Sequence, residues 1–361
     1  MTNFKPNGLP LLIGSLPLAN HEEAVKLVLE HTPDIPLWVQ LPCFPEEGMV
    51  PQFLESFPGF VEELGKNLVD TSIASFDEDL LSFFEEYLTL SETGRHLERS
   101  RFALSGKRAK GFEEFLRQVD AKGVPFIALK GQITGPITFC TAVKDQNGKD
   151  IFYNDQLRDA AIKKLALNAR WQANEFKKRG AVPIIFIDEP SLSGFGTSAY
   201  ITISKEDVIA SFEEITLEIH AADGLAGVHV CGNTQWDILL NASIDIISFD
   251  AFAYFDRFIL YPEAINTFIG RGGILAWGIV PTLEPEKLEA QTTRGLLDLL
   301  DSHIDQLTEA TGIDRQKILT QSLITPSCGA GSLSLDLTYR ALKLIKEVSE
   351  QLRMKNSIDS P

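Results

Sequence analysis

Cysteine is scarce in this chain, 4 in 361 residues, and that scarcity excludes a scaffold built on disulfides. Each cysteine is therefore either a small buried apolar residue or a participant in chemistry. Cations are also in deficit: 33 Lys and Arg stand against 50 Asp and Glu, a formal net charge of −17. A nucleic-acid partner needs clustered cations to meet its phosphates, so the balance argues against one and reads as an acidic, solvated surface. No uncharged apolar run is long enough to cross a bilayer, and the opening Met-Thr-Asn-Phe-Lys-Pro has no charged stretch followed by a long apolar one. Cytoplasmic residence without a membrane partner is the expectation.

What is present is a globular composition, 44% hydrophobic and 23% charged, with short apolar runs alternating with longer amphipathic ones. The runs are Leu11 to Leu16, Pro36 to Leu41, Pro125 to Ile133, Val182 to Asp188, Leu225 to Cys231, Ile244 to Phe249, Ile274 to Val280 and Ile318 to Thr325. Between most of them lie helical stretches, including Glu22 to Glu30, Gln156 to Lys178, Lys205 to Ala221, Glu286 to Thr308 and Leu337 to Leu352. Strand and helix in repeated alternation predict an α/β fold with a parallel sheet, and eight strands predict closure into a (β/α)8 TIM barrel. The whole of 1–361 reads as one domain, with a mostly helical insertion over about 45–123, after the second strand.

Barrels of this kind place chemistry where strands end, and those ends are polar here. They carry Gly14-Ser15, Gln40, Lys130-Gly131-Gln132, Asp188-Glu189, His229-Val230-Cys231, Asp250, Trp277-Gly278 and Ser327-Cys328-Gly329. His229 and Cys231 are two apart in one run, which puts both side chains on the same face. Cys328 follows the last run, which closure returns to the same mouth. One imidazole and two thiolates, with a position left open, are the donor set of a catalytic zinc site, and thiolates favour zinc over magnesium or calcium. Cys231 and Cys328 adjoin glycines in loops; Cys43 and Cys140 lack that setting, and Cys140 reads as packing. Thiolate-held zinc suits activation of a substrate thiol, so S-alkylation is the implied reaction. The aromatic residues Phe249, Phe252, Tyr254, Phe255 and Trp277 read as core.

Five elements in order, Ile13-Gly14-Ser15, Ile133-Thr134-Gly135-Pro136, Ile187-Asp188-Glu189-Pro190, His229-Val230-Cys231 and Pro326-Ser327-Cys328-Gly329, carry a resemblance over nearly the whole chain. Through them the chain resembles the catalytic half of cobalamin-independent methionine synthase, in the superfamily shared with uroporphyrinogen decarboxylase and methylcobalamin:thiol methyltransferases. The resemblance implies zinc held by His229, Cys231 and Cys328, with Asp250 in the place of a carboxylate ligand. It implies substrate contacts at Gly14, Ser15, Asp188 and Glu189, with Asp188 also catalytic. Two departures shape the expected reaction. Cys43 stands where the family has a substrate-binding Glu, with Glu46 and Glu47 just beyond, so homocysteine is not implied as the acceptor thiol. Near the seventh strand end, Trp277-Gly278-Ile279-Val280-Pro281 offers no titratable group where the folate enzyme has a His. A folate amine leaves only when protonated, whereas cobalt leaves methylcobalamin without a proton, so the expected donor is a methyl-corrinoid, free or carried by a corrinoid protein. The alternatives are a metal-free decarboxylase of the uroporphyrinogen type and a non-catalytic zinc- or corrinoid-binding protein.

Overall fold

The computed structural model describes residues 4–63, 66–197, 200 and 202–358. Ten strands are assigned among them: β1 (Leu9–Pro10), β2 (Phe60–Glu63), β3 (Lys66–Val69), β4 (Ala128–Thr134), β5 (Lys144–Asp145), β6 (Val182–Asp188), β7 (Leu225–Val230), β8 (Ile246–Phe249), β9 (Ile274–Val280) and β10 (Ser322–Pro326). Seven of them form one parallel sheet in the order β1-β10-β9-β8-β7-β6-β4. The gap between β1 and β4 is bridged by the segment 36–41, through parallel pairings of Ser15 with Gln40 and of Leu37 with Lys130. The sheet therefore curls around on itself, and the (β/α)8 expectation holds.

Strand bounds differ where proline interrupts the ladder. The expected second strand reduces to its two isolated pairings, because Pro36 and Pro42 at its ends have no N–H to donate. The first strand begins earlier than Leu11, and Ile318 lies inside the helix Arg315–Thr320, which ends before β10 starts. The expected helix Glu286 to Thr308 is two, Pro285–Glu289 and Thr293–Thr311, the second started by the Thr292 side chain accepting from Gly295 N. The insertion contains the helices Phe76–Thr93 and Lys110–Lys122, as expected. It also contains the antiparallel pair β2 and β3, extended in parallel by β5, which its short apolar runs did not announce. No helix among the described residues is long and apolar enough to cross a membrane.

Side chains alternate along each strand, and the inward positions fill the barrel in layers. Leu9, Leu11, Ile35, Ala128, Ile184, Ile246, Ile274 and Leu323 pack together at its N-terminal end. Above them, on the same inward register, stand Lys130, Gln132, Asp188, His229, Ser248 and Thr325, all buried. Phe249 and Trp277 point outward into the larger core beneath the helices, as their reading as core requires; Phe255 is buried with them, whereas Phe252 is partly buried.

Candidate metal centre

His229 comes from the end of β7, Cys231 from the turn just after it and Cys328 from the turn after β10. Among the described residues these three form the one group of possible metal donors, their ligand atoms all within 4.8 Å of one another. The His229 ring is buried, and its Nδ1 shares a 3.0 Å hydrogen bond with Ser248 Oγ, which the β7–β8 register places opposite it. Its Nε2 is buried without a hydrogen-bond partner. Burial first, and the Lys130 ammonium second, push the imidazole down to about 3, so it is neutral near pH 7 with a lone pair to offer. The Cys231 thiol is lowered chiefly by a hydrogen bond from Cys328, and Cys328 is raised by that bond and by burial. The two thiols thus lie within hydrogen-bonding reach of each other. A buried lone pair with no partner, beside paired thiols, fits zinc.

Two approaches of backbone make this convergence feasible. Gly278 lies at the end of β9, where an added Cβ would stand 2.5 Å from Phe249 O and 2.9 Å from Ser327 Cα. Any side chain there would push apart the turns that carry Asp250 and Cys328. On the other side, Ser15 Oγ accepts from Gly331 N at 3.3 Å and occupies the space a side chain at Gly329 would need. Ser15 is thus placed against the Cys328 turn, and an added Cβ at Gly14 would meet Gln132.

Asp188 ends β6 and is 6% exposed, with Oδ1 unpartnered. Burial raises its carboxyl to about 7, against the opposing pull of Lys130. Lys130 is entirely buried: its Nζ donates to Ile13 O and to Gln132 Oε1 at 3.2 Å, and burial brings it down to about 8. Neighbouring Glu189 is arranged differently. Its oxygens accept from Ile137 N at 2.8 Å, Thr138 N at 2.7 Å and the Thr138 hydroxyl, so it caps the helix Pro136–Ala142. Glu189 thus orders the start of that helix directly beside Asp188. Asp250 lies outside the three-residue group; its Oδ1 accepts from Ala253 N at 2.8 Å and starts the helix Ala251–Phe258, and burial raises its carboxyl to about 6. Glu47, beyond Cys43, is buried and engaged by Leu41 N at 3.0 Å and His21 Nε2 at 2.6 Å. Cys140 packs in the core, as its sequence setting indicated.

Sequence reasoning placed Lys130 and Gln132 at a polar strand end without giving either a role, and it missed three further side chains that build this end of the barrel: Ser248, Thr282 and Thr325. Ser248 could have been found by pairing β8 against β7. Thr325 Oγ1 is a further buried atom without a partner, on the inward register of β10. Thr282 follows Pro281 in a turn and carries no sequence signal at all.

No family model matches this chain. The methionine synthase of Methanocaldococcus jannaschii is 26% identical to it over 266 residues, covering 70% of this chain and 78% of that protein. Among solved structures, a B12-independent methionine synthase from Shewanella sp. W3-18-1 in complex with selenomethionine aligns over 67% of each chain, with a TM-score of 0.48 and 16% identity. A putative vitamin-B12 independent methionine synthase from Listeria monocytogenes aligns over 98% of this chain and 99% of its own, with a TM-score of 0.47 and 14% identity.

Proposed function

We propose that this chain, a homologue of methionine synthase at the level of the superfamily, is a methionine synthase-like methyltransferase that passes a methyl group to a thiol at the centre formed by His229, Cys231 and Cys328. The observation that carries this reading is the gathering of one imidazole and two thiols from separate strand ends, with the imidazole Nε2 buried and unpartnered. A zinc ion held by those three residues would supply the Lewis acidity that lets a substrate thiol react as thiolate near neutral pH. The protein's own side chains do the remaining work. Ser248 fixes the plane and tautomer of His229. Asp188 keeps an oxygen free for an acceptor's ammonium, and the barrel wall around it excludes water. Asp250 is engaged at a helix start and lies outside the three-donor group, so His229, Cys231 and Cys328 are the residues that would hold the zinc.

The donor is the finer question. A methyl-corrinoid was expected because no titratable group stands near Trp277 and Gly278, and β9 there is indeed buried and apolar. Asp188 at the end of β6, raised to about 7 by burial, nevertheless keeps a titratable group at the barrel mouth. A folate donor, which must leave as a protonated amine, is served as well as a corrinoid, and a corrinoid protein is not required as partner. The proposal is therefore made for the thiol acceptor and the metal centre, and the donor is separated by assay.

Elemental analysis of the purified protein beside Cys231→Ser and Cys328→Ser tests the centre. Near-stoichiometric zinc in the parent and its loss in both variants is the expected result. Absence of metal in reducing, zinc-supplemented buffer would overturn it and favour the metal-free decarboxylase. Methylcobalamin and methyltetrahydrofolate, each offered with a panel of thiols, then identify the donor. Zinc retention with no methylation from either would leave the non-catalytic metal-binding protein.

A further inference from the structure

We infer that Thr282 is the positioning residue that sets Cys328 for the metal, an assignment that rests on the zinc reading above. The β9–β10 ladder is regular up to Thr325, then shifts register so that Pro326 lies opposite Val280. Pro281 and Pro326 have no N–H, and a ladder cannot run on through them. Side-chain hydroxyls take over where the backbone donors stop. Ser327 N donates to Val280 O at 2.9 Å, and Thr282 N donates to Ser327 Oγ at 3.0 Å. Cys328 N donates to Thr282 Oγ1 at 3.0 Å, and the same hydroxyl donates to Cys328 O at 2.9 Å.

Thr282 is buried, and its hydroxyl grips the ligand residue by both backbone groups. None of these bonds reaches the sulfur, so what they fix is the backbone from which the sulfur projects. A register shift at a strand end is a common way of re-aiming a side chain. Without the hydroxyl, the turn has to be ordered by the metal itself, and the entropy of ordering it is subtracted from the binding. Valine matches threonine in shape and offers neither donor nor acceptor, whereas serine keeps both.

The test uses the full chain, stripped of metal under reducing conditions, and two metals as probes: zinc in competition with a chromogenic chelator, and cobalt(II) read by its thiolate charge-transfer band. Thr282→Val is expected to weaken zinc by about 10–100-fold and to diminish the cobalt band, while Thr282→Ser stays within about threefold of the parent. Should Thr282→Val fail to fold, Ser327→Ala, which removes the acceptor for Thr282 N, is expected to weaken zinc in the same direction by a smaller factor. A folded Thr282→Val with the parent's zinc affinity and cobalt spectrum overturns the inference, as does an unchanged Ser327→Ala where the first variant cannot be made. Failure of the zinc reading itself looks different: the parent binds no zinc, or keeps it when Cys231 and Cys328 are both replaced.

Discussion

The two ends of the barrel interior are built by the same strands and have opposite character. On β6 the inward positions run Ile184, Phe186, Asp188; on β8, Ile246, Ser248; on β10, Leu323, Thr325. At the N-terminal end they are apolar and packed against one another. A step or two along each strand they are polar, and three of their atoms, Asp188 Oδ1, His229 Nε2 and Thr325 Oγ1, are buried without partners. An unpartnered buried polar group costs about 1–3 kcal/mol, so three of them at one end represent stability given up there. The packed end supplies the stability that makes this tolerable. The difference teaches that function is read here from what lacks a partner, and stability from what has one.

Lys130 stands at the border of the two ends, and replacing it is the severest way to break the contrast. Thr→Val changes remove a contact, but Lys130→Met removes the cation whose field opposes the burial of the Asp188 carboxylate and leaves Ile13 O and Gln132 Oε1 without that donor, each at about 1–3 kcal/mol. Because the parent carboxyl titrates at about 7, raised from 3.8, the folded protein binds the proton that the unfolded chain has released. Removing the lysine raises it further, so the variant's deficit should be large at pH 8 and shrink at pH 6; urea midpoints at the two pH values check this, and an equal deficit at both would contradict it. Ile184→Ala, at the packed end, should destabilise by about 2–5 kcal/mol while leaving zinc content per folded molecule unchanged. A loss of zinc in that variant would dissolve the distinction between the ends. Ser248→Ala should do the reverse, weakening zinc by about 10-fold with little change in melting temperature.

The smallest effect concerns His303, which is stacked on Phe255 with ring centroids 4.0 Å apart and pushed down by burial to about 4 from 6.5. A depressed histidine contributes stability that is present above 6.5 and lost as pH falls through about 4, because the folded state resists the proton. His303→Phe should therefore gain on the parent as pH drops from 7 to 4.5. Parallel stability curves for the two proteins would show that the ring is not buried neutral.

The barrel and the meeting of His229, Cys231 and Cys328 at one mouth were legible in the sequence because both rest on simple periods. Alternation by two puts His229 and Cys231 on one face, and the strand–helix repeat brings Cys328 back beside them. What was hidden depends on pairing across distant segments. The hold of Glu189 on the start of Pro136–Ala142 joins residues about fifty positions apart, which no local pattern announces. The cation whose field acts on Asp188 is Lys130, 58 residues away by the numbering, in a strand whose neighbour is fixed only by sheet order. The antiparallel pair in the insertion escaped because its runs are as short as ordinary turns. Asp250, read as a ligand, is drawn aside by the helix that begins at the next residue.

The contact between Ser15 and Gly331 spans 316 positions of the chain. Loop closure over such a span is entropically expensive and kinetically late, so the turn bearing Cys328 can settle only after the first and last staves have met. During refolding, His229 and Cys231 should therefore be able to hold a metal weakly long before the third donor arrives, and the tightening of that grip would time the moment the barrel closes.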